Sequence, residues 1–182
     1  VDGETSVWWR ISNNDESRGD FINAQALDSN FGIIYSNGFS NGDSSIIAYY
    51  GWDDFNTSEQ GTVAETYEIT SGLFNNFTAL NVSPHTTNSS TLFAGGETGY
   101  LYKITNAENQ TSQSVNRIDQ GIFVGSVSDI EFGSNENEIF VTMYNYGVEN
   151  IFYTNNGGAT WLNKEGNLPD MPVYNILQNP LN

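Results

Sequence analysis

The chain has 182 residues and carries five Lys and Arg against 22 Asp and Glu, a net charge of −17. No cysteine is present, which excludes disulfide scaffolds, cysteine-ligated zinc and thiol catalysis. The charge repels phosphate backbones and anionic membrane surfaces, so nucleic acid is not an expected partner. Hydrophobic residues make up 37% and aromatics 14%, enough to build a core, and no apolar run reaches the length of a membrane-spanning helix.

Short β-rich runs separated by Asn, Gly, Ser and Thr predict an all-β chain with no helix beyond two turns. In chain order, the first run is Val7 to Ile11, containing Trp8 and Trp9. Strands are then expected around Ala24–Ser29, Ile33–Tyr35, Ser45–Tyr49 and Ala64–Ile69. A second set follows at Ala79–Val82, Thr91–Ala94, Gly99–Ile104 and Ser114–Ile118. A third is expected at Asp129–Phe132, Glu138–Thr142, Asn150–Tyr153 and Ala159–Leu162, and Val173–Gln178 opens a further one. Anchored on Gln25, Leu80, Ile130 and Ile176, the sets recur every 46 to 55 residues or so, the pitch of β-propeller blades of four antiparallel strands.

Within the third set, Thr154-Asn155-Asn156-Gly157-Gly158-Ala159-Thr160-Trp161 is a hairpin turn, because Asn and Gly accept positive φ at little cost. The Asn156 side chain is expected to cap amides within its own loop, and Trp161 to be buried behind it. This run resembles the Asp-box, or BNR repeat, with pattern Ser/Thr-x-Asp/Asn-x-Gly-x-Thr-Trp. Thr154, Asn156, Gly158, Thr160 and Trp161 meet every specified position, with Asn where Asp is commoner. The resemblance is strongest over 150–182 and weaker before 79. It implies a β-propeller of the kind found in sialidases, sortilin-type receptors and xyloglucanase-type glycosidases, with the box structural rather than catalytic.

The expected organisation is one partial propeller with about three complete blades. Residues 1–21 are the last strand of a preceding blade and a linker. Blades follow at 22–78, 79–126 and 127–172, the last bearing the Asp-box, and 173–182 is the first strand of the next blade. Three blades do not close a ring, so the remainder of the propeller or other copies of the chain are expected to cover the bare blade faces.

A catalytic set is not expected within the chain. A sialidase needs three arginines around a carboxylate; this chain has three in all, Arg10, Arg18 and Arg117, and none stands in an Arg-Ile-Pro context like the one that opens sialidase domains. Glycosidases need paired carboxylates across a cleft; among several candidates, Asp28 and Asp129 stand near first-strand positions that would line a central channel, although turn-capping explains such residues as well. His85, the single histidine, reads as a loop residue. No metal or cofactor is expected. Calcium ligands would be sought in Asn13-Asn14-Asp15-Glu16 or Asp53-Asp54-Asn56, neither with EF-hand spacing. Trp52, flanked by Asp53 and Asp54 in a polar loop, is the best exposed platform for a ligand, and Trp8, Trp9, Tyr49, Tyr50, Tyr144 and Tyr146 are further candidates for stacking on sugars. The expected function is a secreted, extracellular or cell-surface, non-catalytic module binding glycan or protein. The alternative is a fragment of a sialidase-like or xyloglucanase-like glycoside hydrolase completed by residues outside this chain.

Overall fold

The computed structural model describes residues 18–20, 22–51 and 65–179. Twelve strands are present: β1 (Gln25–Asp28), β2 (Ile33–Asn37), β3 (Ile46–Tyr50), β4 (Glu65–Ile69), β5 (Phe77–Val82), β6 (Thr91–Gly96), β7 (Leu101–Thr105), β8 (Ser114–Arg117), β9 (Val127–Phe132), β10 (Ile139–Met143), β11 (Ile151–Thr154) and β12 (Leu162–Asn163). They form three four-stranded sheets, each an antiparallel meander in sequence order. The described residues contain no helix.

The first strands of the sheets stand side by side, β1 against β5 and β5 against β9. Apolar residues on facing surfaces fill the two gaps. Tyr35, Ile46, Ile69, Leu92, Ala94 and Ile104 pack between the first and second sheets. Phe93, Leu101, Ile130, Ile139, Val141 and Phe152 pack between the second and third. The middle sheet therefore buries both faces, and all six residues of β6 are buried. Such a strand is enclosed on both faces and does not alternate between core and water.

The contact between neighbouring sheets repeats. β5 and β9 each carry a bulge after their first residue, with Thr78 and Ser128 as the extra residues. A bulge re-aims a side chain out of the ladder, and here both hydroxyls bond a carbonyl outside their own sheet. Thr78 Oγ1 donates to the Val127 carbonyl at 2.6 Å. Ser128 Oγ donates to the Val173 carbonyl. Asn81 Nδ2 adds a second bond from β5 to the Ile130 carbonyl at 2.6 Å. Residues 173–179, expected to open a further blade with a first strand, form no strand, and Val173 is tied to the third sheet by the Ser128 bond and by its own amide, which donates to the Met143 carbonyl at 3.0 Å. Asp129 Oδ2 accepts the Ile176 amide at 3.0 Å, holding the same stretch.

Register agrees with the expected repeat anchor. Gln25 faces Ser36, Leu80 faces Ala94 and Ile130 faces Val141, and Ser36, Ala94 and Val141 each stand two residues before the amide that closes the next hairpin, that of Gly38, Gly96 and Met143. β1 differs in pairing without a bulge. The fourth strand of the third sheet is shorter than expected, starting at Leu162, because Ala159 and Thr160 remain in the turn.

Candidate ligand-binding edge

Because each sheet is a meander, the loops joining second to third strands and those leaving the fourth strands lie at one end of the sheet. With first strands side by side, these loops gather on one edge: 38–45, 97–100 and 144–150 from within sheets, and 70–76, 118–126 and 164–172 between or after them. The loops are stitched by equivalent backbone bonds. Glu97 N donates to the Asn76 carbonyl at 3.0 Å, and Tyr144 N to the Ser126 carbonyl at 2.8 Å.

Large apolar side chains stand exposed along this edge, among them Phe74, Ile122, Val124, Tyr146, Met171 and Tyr174. Phe74 is 71% exposed, yet its backbone is held: the Tyr102 hydroxyl lies 3.2 Å from the Phe74 amide and 3.4 Å from its carbonyl. Tyr144 and Tyr174 pack with ring centroids 4.2 Å apart, and their hydroxyls are bonded. That bond, then burial and the neighbouring Tyr144 and Tyr146 hydroxyls, raises the Tyr174 phenol above its ordinary range.

Beneath the aromatics lies a knot of amides and carboxylates. Buried Asn37 donates through Nδ2 to Asn76 Oδ1 at 2.8 Å. Asn76 Nδ2 faces two carboxylates, Asp20 at 2.9 Å and Glu97 at 3.4 Å. Beside it, Ser40, Asp43, Ser44, Glu68, Phe74 and Arg18 line an open cleft of about 530 Å³, with Arg18 paired to Glu68.

A second groove, about 500 Å³, lies between the 70–76 loop and the second sheet and is lined by Phe74, Tyr100, Tyr102 and Arg117. The Arg117 guanidinium sits 3.7 Å over the Tyr100 ring. Its Nε and Nη2 each donate to an Asp119 oxygen at 2.7 Å. Asp119 is 1% exposed and also accepts the Leu101 and Gly121 amides. Burial alone would raise the Asp119 carboxyl, but the Arg117 fork and the two amides outweigh it and hold the group below the ordinary carboxylate range. The same fork raises Arg117.

The 154–161 turn sits at the other end of the third sheet. Thr154 Oγ1 accepts the Asn156 and Gly158 amides at 3.2 and 3.1 Å and donates to Asn156 Oδ1 at 2.8 Å. Asn156 closes the loop by accepting Thr160 N at 3.0 Å and donating to Thr160 Oγ1 at 2.8 Å. Gly157 and Gly158 take φ of 68° and 87°. Trp161 is only partly buried, not enclosed as expected. Its Nε1 donates to the Ile118 carbonyl at 2.7 Å, and its ring meets Phe123 edge-on. The indole lies across the rim of the gap between the second and third sheets, leaving part of its surface to solvent.

Of the other predicted residues, Trp52, Asp53, Asp54 and the stretch 1–17, which holds Trp8 and Trp9, lie outside the described residues. Asp28 is buried at the end of β1; Oδ1 accepts the Asn30 amide at 2.9 Å, and Oδ2 has no hydrogen-bond partner among the described residues. Asp129 is half-buried on β9 and holds Ile176. Beside it, burial and the Asp129 charge raise the Glu131 carboxyl. Tyr49 and Tyr50 are half-buried in β3. His85 is exposed, its Nε2 3.0 Å from the Gly133 carbonyl. Among the described residues no group of three or more His, Asp and Glu side chains converges to hold a metal, and no helix is long and apolar enough to cross a membrane.

Sequence reasoning missed Phe74, Asn76, Glu97, Arg117 with Asp119, and Tyr174. Phe74 carries a legible signal, an aromatic between Gly72 and two asparagines, the same signal that singled out Trp52. Comparison with protein-family models, curated proteins and solved structures finds no match.

Proposed function

We propose that this chain is a section of an Asp-box β-propeller, exported from the cell, that works by binding a glycan or a protein on its loop edge rather than by catalysis. The observation that carries the binding reading is the concentration of exposed apolar side chains, Phe74 and Tyr146 foremost, on the loops of one edge of all three sheets. Side chains scattered over a surface need no explanation, whereas a run of them along one edge marks a recognition surface.

The propeller reading is supported by the repeated bulge-to-carbonyl bond. Thr78 and Ser128 act alike, each donating to a carbonyl of a later segment, that of Val127 for Thr78 and of Val173 for Ser128. It is supported again by the 154–161 turn, where every side chain the box specifies has a bonding or packing partner. Export rests on the acidic, cysteine-free composition together with the Asp-box resemblance.

One observation favours a hydrolase instead. Asp20 and Glu97 converge on the amide of Asn76, and paired carboxylates are what glycoside hydrolysis requires. Titration of the chain against soluble oligosaccharides and extracellular proteins, with a product assay on the same panel, separates the two. Binding without sugar release supports the module. Turnover that is lost in Glu97→Gln replaces it with the hydrolase.

A further inference from the structure

Arg117 is an expensive arrangement for a residue with no part in the core. A buried carboxylate fixes its guanidinium edge-on, a tyrosine covers one face, and yet 42% of the side chain stays open to solvent. In a chain with only five Lys and Arg, this cation is held at the wall of a groove whose other walls are aromatic.

We infer that the groove of Phe74, Tyr100, Tyr102 and Arg117 is a binding site for an uncharged pyranose ring of a glycan chain; the inference rests on the binding-module reading and names its ligand and site. Three features select this chemistry. The volume of about 500 Å³ suits one or two sugar rings and not a folded partner. Phe74 offers a ring face that is exposed but fixed at its backbone by the Tyr102 hydroxyl, so little freedom is lost on stacking. The Asp119 fork consumes Nε and Nη2 and leaves Nη1 as a fixed donor for a sugar hydroxyl.

Charge decides against acidic sugars. Asp119 cancels the Arg117 charge locally, and the chain as a whole carries −17, so a carboxylate ligand meets no net attraction. Asp119 is here a positioning residue; Phe74 and Arg117 make the contact.

The test is NMR titration of the 182-residue chain with neutral hexasaccharides of glucose, mannose and N-acetylglucosamine, with hexagalacturonate as the anionic probe. Folding of each variant is checked by circular dichroism. The expected result is saturable shifts at Phe74, Tyr100 and Arg117 with a neutral probe. Phe74→Ala and Arg117→Lys then each weaken binding by about fivefold or more, as loss of a stacking face and of a planar fork implies, while Leu162→Ala, an exposed apolar side chain on β12 away from the loop edge, leaves it unchanged. Neutral-sugar binding that survives Phe74→Ala and Arg117→Lys but is lost in Tyr146→Ala would overturn the groove and spare the binding-module reading. Tighter binding of hexagalacturonate than of every neutral probe would overturn the charge argument, and with it the inference. Binding of a protein at this edge with no response to any sugar would also overturn it while leaving the module reading in place.

Discussion

Gly158→Ala tests whether the 154–161 turn is locked to the neighbouring sheet or merely folded on itself. Gly158 has φ of +87°, in the left-handed region, where a Cβ costs about 1 kcal/mol. The added Cβ would also lie 2.9 Å from the Ile118 Cβ and 3.1 Å from the Ile118 carbonyl oxygen. Ile118 has little room to retreat: it is 9% exposed, and its carbonyl accepts the Trp161 indole. Overpacking of this kind costs about 1–3 kcal/mol, so the total is about 2–4 kcal/mol. Gly166→Ala is the control. It shares a positive φ of +66° but has nothing within 4 Å of the added Cβ, so only the backbone cost of about 1 kcal/mol applies. Urea unfolding of the two variants, analysed where the m-values agree with wild type, gives the difference directly. If Gly158→Ala costs no more than Gly166→Ala, the turn does not press on the second sheet and the packing argument is wrong.

Thr154→Val keeps the shape of a buried residue but removes three hydrogen bonds, and a loss of about 2–3 kcal/mol is expected in the same assay. Thr78→Val removes the bond to the Val127 carbonyl and should cost about 1 kcal/mol, with a matching effect for Ser128→Ala if the two bonds are equivalent. Asp119→Asn should destabilise fully at neutral pH. The folded-state carboxyl is held below its unfolded value, so its stabilisation is present above about pH 4 and fades as pH falls through the folded value. The gap between Asp119→Asn and wild type should therefore close in acid; a pH-independent gap would mean that the Arg117 fork contributes nothing through charge.

Strand order and the hairpin were legible because they depend on local pattern. Tyr102 and Ile104 alternate with Lys103, and Asn156-Gly157-Gly158 names its own turn. The radial contacts were not legible, since they turn on single hydroxyls at bulges: nothing local distinguishes Thr78 or Ser128 from any other strand Thr or Ser. The same limit explains Trp161. An aromatic after a hairpin signals packing, but how far it is enclosed depends on Phe123 and Ile118, which come from another sheet. The groove was invisible for a related reason. Arg117 and Asp119 lie two apart and so share a side of the chain, yet the loop carrying Phe74 reaches them only through the tertiary fold.

The central claim is that three separate sheets stand with their first strands side by side, so that their loops form one edge. Inter-strand NOEs from isotope-labelled chain test it most directly. Contacts are expected between Thr78 and Val127, Asn81 and Ile130, and Ser128 and Val173. Contacts that instead pair β8 with β9 as neighbours in one continuous sheet would contradict it.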